Sequence, residues 1–199
     1  ERRNDIVRSS LLAQLVAKKK VPDTADLWKW YEEYFNVLTN IGWVIQEKGF
    51  AQYVETSEDF QAHKAIMEVA AALLGPAAAP LAVLKATLDA LEEMNTESPW
   101  IRLFNRESQS GKTAKFQIML VEQGDANQFL VSLMAFGLEA KATLTQVLFF
   151  KYLSSEVTFK HNAAKVTIDS DVLASVREVI KGKLAMYTND YVSSLPDLE

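Results

Sequence analysis

Residues 145–153, TQVLFFKYL, carry oily side chains on both sides of an extended chain. In a strand, alternate residues point to opposite faces. Val147, Phe149 and Leu153 therefore go one way, and Leu148, Phe150 and Tyr152 the other. An antiparallel sheet ordinarily wets one face, and two dry faces belong to a sheet covered on both sides. A chain with such a strand has to supply two covering layers.

The surrounding sequence offers the rest of the sheet. From residue 114 the hydrophobic period is two. AKFQIMLVEQ (114–123), QFLVSLMAFGLEAK (128–141), TLTQVLFFKYLSSEVTFKH (143–161) and AKVTID (164–169) read as successive antiparallel strands. Gly124-Asp125-Ala126-Asn127 suits the first turn, and His161-Asn162 is expected at another. The central strands are apolar on both faces. Phe116, Ile118 and Leu120 oppose Met119 and Val121, and Phe129, Val131 and Leu133 oppose Leu130, Met134 and Phe136.

Helical patterning flanks these strands. Residues 3–19 form one expected helix, with Ile6, Leu11, Leu12, Leu15 and Val16 on one stripe and Lys18–Lys20 at its end, where cations suit the macrodipole. Pro22 stops it. Asp23 or Thr24 can cap a second helix running to about Gln46, with Leu27, Tyr31, Tyr34, Leu38, Ile41 and Ile45 on one stripe. GFAQYVE (49–55) suggests a short strand, and Thr56-Ser-Glu-Asp59 a capping box before a helix to Leu74. Gly75-Pro76 turns the chain into a helix marked by Leu81, Leu84, Leu88 and Leu91, ending near Asn95. PWIRLFNRES (99–108) reads as a short helix with Trp100, Ile101 and Phe104 facing inward. Asp169 or Ser170 caps a closing helix whose stripe is Val172, Val176, Val179, Ile180, Leu184, Tyr187 and Tyr191.

The expected fold is α+β: a single-domain, three-layer α/β/α arrangement. Its antiparallel sheet, of about four or more strands, is wrapped by helices on both faces. Residues 1–108 are mainly helical, 114–169 supply the strands and 170–193 the closing helix. With 199 residues and no linker or repeat, one domain with a substantial core is expected.

A net charge of −5 argues against a basic nucleic-acid footprint and weakens electrostatic docking on anionic lipid. Cysteine is absent, which removes disulfides and thiolate metal sites. The opening ERRNDIVRSS lacks the apolar segment of a secretory signal. The run VAAALLGPAAAPLAVL (69–84) is too short and too broken by Gly75, Pro76 and Pro80 to span a bilayer as one helix. It suits two helices meeting at an apolar turn.

No catalytic constellation stands out, and an enzyme is not expected. SQSGKT (108–113) has Arg106 where a phosphate loop needs glycine, and a strand rather than a helix follows. His63 and His161 are expected at the surface, and no local spacing makes them metal ligands. Catalytic, cofactor and metal sites are accordingly expected to be none. Trp28, Trp30, Trp43 and Trp100 suit either core packing or a membrane interface, where amphipathic rings are at home.

The succession from Lys115 through Asp169, followed by a closing helix, resembles the C-terminal half of the Cyt family of cytolytic δ-endotoxins. Those proteins also place long hairpin strands with VLFF-like runs before a last helix. The helix pair and Trp-bearing short helix of residues 57–108 are similar in order, so the resemblance covers about residues 57–185. It departs at the start, where residues 3–46 read as two helices instead of a strand and shorter helices. The family's N-terminal activation and dimer contacts are therefore not carried over.

The resemblance implies a secreted or released soluble protein, monomeric or dimeric in solution. Such a protein binds membrane lipid, sheds part of its helical cover and assembles as a homo-oligomer in the bilayer. Membrane-interacting candidates are Trp28, Trp30, Trp43, Leu73, Leu74, Leu81, Phe129, Phe136, Phe149 and Phe150. Two other functions compete: a non-lytic module that docks a protein partner, and a carrier holding a lipid between sheet and helices.

Overall fold

The computed structural model describes residues 2–22, 26–46, 48–94, 98–123 and 129–194. The fold is α+β, and among the described residues it has six α-helices and an antiparallel sheet of six strands. The chain condenses into two compact units, residues 1–22, 28–46 and 167–199 in the first and 23–27 and 47–166 in the second.

Unit 1 is built from α1 (Arg2–Lys20), α2 (Leu27–Asn40, from Trp28 onward), β1 (Trp43–Val44) and α6 (Ser170–Ser193). The second helix stops at Asn40 rather than Gln46. Gly42 takes φ 101°, and a Cβ there would stand 3.1 Å from the Asp169 carbonyl. That left-handed position favours glycine. It lets Trp43 and Val44 pair with Ile168 and Thr167. The proposed caps Asp23 and Thr24 lie outside the described residues.

The buried face of α1 is small and polar where the largest residues were expected. Asp5, Ile6, Ser9, Ser10, Ala13 and Ala17 are buried, while Leu11 is exposed and Leu12, Leu15 and Val16 are half-buried. Small side chains allow close approach, and the hydroxyls find partners. Ser10 Oγ lies 3.0 Å from Tyr34 Oη, and Trp43 Nε1 donates to Ser9 Oγ at 3.0 Å. Burial pushes the Tyr34 hydroxyl up to about 12, against a lowering effect of Ser10. Along α2, Trp30 stacks on Tyr34 at 5.4 Å, one helical turn away.

Asp169 caps α6 as expected, its Oδ1 accepting from the Asp171 and Val172 amides at 3.0 Å each. The buried stripe of α6 runs through Leu173 and Ile180, whereas Val172, Val179 and Tyr187 are exposed. The Tyr191 side chain lies outside the described residues. Arg177 reaches α1, donating from Nε and Nη2 to the Asp5 carboxylate at 2.7 to 3.0 Å.

Unit 2 holds the long strands. In chain order its elements begin with β2 (Ala51–Gln52), β3 (Asp59–Phe60), α3 (Ala62–Leu74), α4 (Ala79–Glu92) and α5 (Pro99–Ser108). They continue with β4 (Gln109–Ser110), β5 (Thr113–Gln123), β6 (Phe129–Ala140), β7 (Tyr152–Leu153) and β8 (Val157–Ile168), whose last two residues belong to unit 1. The strand order is β8-β6-β5-β4, with β2 pairing to β8 and β3 with β7 as a separate pair. Phe116 and Phe136 face each other across β5 and β6. Val131–Leu138 is buried at every position, so both faces of β6 are closed to solvent.

Three expectations in this unit are corrected. TQVLFFKYL is not a strand: residues 141–151 are irregular, and only Tyr152 and Leu153 pair, with Phe60 and Asp59. Its burial does not alternate, for the neighbours Val147 and Leu148 are both buried while Thr145 and Phe150 face water. The third long strand is β8 instead. His161 and Asn162 lie in its middle, with Ala51 opposite His161, so there is no turn between two strands at that point. Finally, Thr56-Ser-Glu-Asp59 starts no helix, because Asp59 and Phe60 are taken into β3 and α3 begins at Ala62 without a side-chain cap. The turn at 124–127 lies outside the described residues, and the helix expected to end near Asn95 stops at Glu92.

Candidate functional site

The α3–α4 hairpin is the feature that departs most from an ordinary surface. Its turn follows from sequence: Gly75 takes φ 95° and ends α3, and Pro80 sits in the first turn of α4, where its missing N–H costs nothing. From Val69 to Leu84 there is no charge. The inner faces of both helices, Ala62, Ala65, Ile66, Val69, Ala70, Leu84 and Leu88, join one core with Phe116, Met134, Phe136 and Leu138 of the sheet.

Beneath the hairpin runs an aromatic ladder. Phe104 meets Phe116 at 5.9 Å, Phe116 stacks on Phe136 at 5.2 Å, Phe136 on Phe159 at 5.5 Å, and Phe159 meets Phe60 at 5.2 Å. Each step crosses to another strand or helix, so the ladder ties β5, β6 and β8 together under α3.

The polar ties of the hairpin are few. Among the described residues, long-range hydrogen bonds leave it from two positions, His63 and Glu68, both on α3. The His63 amide donates to the Leu148 carbonyl at 3.1 Å, and His63 Nδ1 lies 3.0 Å from the same oxygen. Tyr53 Oη donates to Glu68 Oε2 at 2.6 Å. Burial, then Glu68, raises the Tyr53 hydroxyl well above its ordinary range. Tyr53, Glu68, Val69, Ala72, Leu73, His161 and Ala163 line a groove of about 450 Å³ beside α3. The His161 ring is half-buried there, its Nδ1 has no hydrogen-bond partner among the described residues, and burial lowers its pKa. Neither histidine is the surface residue expected of it.

The candidate residues divide between the two units. Leu73, Leu74 and Leu81 lie half-buried around the hairpin turn, packed on the core that contains Phe136, and Phe149 joins them with its ring 5.2 Å from His63. Phe150 is partly exposed, its ring 4.8 Å from Tyr152. Phe129 begins β6, and its side chain lies outside the described residues. Trp28, Trp30 and Trp43 belong to unit 1 and do not join this cluster. Trp30 and Trp43 are buried, and Trp28 is half-buried beside Tyr31. Trp100, expected inward, is 70% exposed, because α5 turns Ile101 to the core instead.

Sequence reasoning did not single out Tyr53 or Glu68, and it saw in His63 no more than a surface residue. Only the pairing of β2 with β8 brings Tyr53 against α3, and no local pattern announces that pairing. SQSGKT closes the β4–β5 hairpin, with Gly111 at φ 57° and Ser110 opposite Thr113. No described helix is long and apolar enough to cross a membrane, and no described group of three or more histidine or carboxylate side chains could hold a metal ion. Compared with known protein families, curated proteins and solved structures, the chain has no match.

Proposed function

We propose that this chain is a Cyt-like, membrane-permeabilising protein whose α3–α4 hairpin leaves the sheet to enter a bilayer. The observation that carries the reading is the way the hairpin is held. Its grip is almost wholly apolar, and its outward hydrogen bonds come from two residues, His63 and Glu68, both on α3. Lipid can replace apolar contacts without leaving polar groups unsatisfied, since helix backbones satisfy themselves. The charge-free run also meets water, with Leu73, Leu74 and Leu81 half-buried and Val83 61% exposed.

Strand length supports the second half of the proposal. β5, β6 and β8 have 11, 12 and 12 residues, enough for the roughly 9 to 11 that a membrane-spanning strand requires. Open edges are not tolerated in lipid, so uncovered strands would have to pair with those of further copies. This gives a homo-oligomer in the membrane and a released soluble form before it. The reading assigns catalysis to no residue and needs no cofactor.

The direct test is dye release from phosphatidylcholine vesicles at micromolar protein. Release that rises with protein concentration is expected. Intact vesicles from acid to alkaline pH, with anionic lipid also tried, would overturn the proposal.

A further inference from the structure

Unit 1 contains a second apolar surface that the membrane reading does not use. The leucine stripe of α1 is absent from the buried face, which is formed by Ser9, Ser10, Ala13 and Ala17. Leu12, Leu15 and Val16 instead line a groove of about 620 Å³ with Leu184 and Tyr187 of α6. That volume falls within the roughly 300 to 1,000 Å³ of small-molecule sites. The groove is a consequence of residue size. Close packing of the alanine and serine face leaves the larger side chains beside the contact, not within it.

The rim is cationic. Lys18, Lys19 and Lys183 line it against one carboxylate, Asp190. Lys18–Lys20 also offset the negative end of the α1 dipole, and Lys20 is spent on Glu33 at 2.7 Å. Lys19 and Lys183 have no ion pair among the described residues. Like charges around one groove repel, and they stand out in a chain whose net charge is −5. An anion between them would remove that repulsion, while an apolar tail would cover the leucines. Helix-rich partners of acidic character would satisfy the charges too, but a groove of about 620 Å³ suits a single acyl chain better than a helix about 10 Å across.

We infer that the α1–α6 groove binds one monomeric, single-chain anionic amphiphile, its acyl tail on Leu12, Leu15, Val16, Leu184 and Tyr187 and its head group among the lysines. This site stands independently of membrane permeabilisation, because it requires neither vesicles nor movement of the hairpin.

The test is calorimetric titration of the whole chain with laurate below its micelle concentration, with dodecyltrimethylammonium as the charge-reversed probe. Laurate is expected to bind once per chain and the cationic probe not at all. Replacing both exposed lysines, Lys19→Glu with Lys183→Glu, should weaken laurate at least tenfold while the far-UV spectrum stays unchanged. Leu184→Trp, which fills the groove, should abolish binding. Equal affinity for the two probes, undiminished affinity in the double lysine variant, or no laurate binding would each overturn the inference. The lysine variant decides the matter even if Leu184→Trp fails to fold.

Discussion

Val83→Asp separates the resting fold from the proposed inserted one. Val83 is 61% exposed on α4, within the charge-free run from Val69 to Leu84. In the resting fold a carboxylate there meets water, and an exposed substitution of this kind changes stability by no more than about 0.5 kcal/mol. In a bilayer the same position lies among acyl chains, where an aspartate costs about 3 kcal/mol at the centre of a helix. At 1.4 kcal/mol per decade, insertion should fall roughly 100-fold. The assay is a dye-release titration read as the protein concentration giving half-maximal leakage, run beside urea unfolding. The variant should unfold like the parent yet need far more protein to release dye. Val54→Asp is the control, since Val54 is also highly exposed but lies outside the hairpin. If Val83→Asp leaks vesicles as the parent does, the hairpin is not what enters the bilayer.

Further outcomes concern the frame. Arg177→Met leaves the Asp5 carboxylate 4% exposed and unpaired, so urea unfolding should show a loss of about 3 kcal/mol. Asp5→Leu together with Arg177→Met should recover most of it, and a double variant no better than the single one would disprove a desolvation origin. Asp169→Ala removes an acceptor from two α6 amides and should cost about 1 kcal/mol, read as a lower urea midpoint; an unchanged midpoint would mean that water replaces the cap. His161 has a pKa held below its ordinary 6.5 by burial, so the unfolded chain takes up its proton first. Stability is then fully present above about pH 6.5 and declines as pH falls through the depressed folded value. Thermal melts of the parent and His161→Leu should diverge from each other on acidification, and parallel curves would contradict this.

How much of this was legible in the sequence depended on whether one local pattern had one reading. The period-two run from 114 to 123 and its partner gave β5 and β6, because so long an alternation has no helical alternative. Gly75-Pro76 and Asp169 are local punctuation, and both act as expected. TQVLFFKYL failed because an apolar run defines burial but not backbone conformation. Its buried residues Val147 and Leu148 are adjacent, which the alternation of a strand does not produce. Before Tyr152 its backbone makes no ladder, the Leu148 carbonyl accepting singly from the His63 amide. The places beside β8 are already filled by β6 and β2, a matter of topology that no short window records.

The same limit explains the helices. On α1 side-chain size points to the largest apolar residues as the core face, yet the packed face is the one that permits the closest approach. Trp100 was misplaced for a related reason, since on a helix of ten residues Ile101 and Ser108 suffice to define the buried side. The cluster formed by Leu73, Leu74, Leu81, Phe136 and Phe149 was legible as a set of apolar residues. Its polar fastenings were not, because Tyr53 and Glu68 are 15 residues apart and His63 and Leu148 are 85 apart.

The central claim is that the hairpin must part from what lies beneath it, and a reversible staple tests it most directly. The chain has no cysteine, so His63→Cys with Phe149→Cys, whose rings lie 5.2 Å apart, introduces a single possible disulfide. Leakage should be silent in the oxidised protein and return on reduction. Equal leakage in both states, with the disulfide confirmed by mass, would contradict the account.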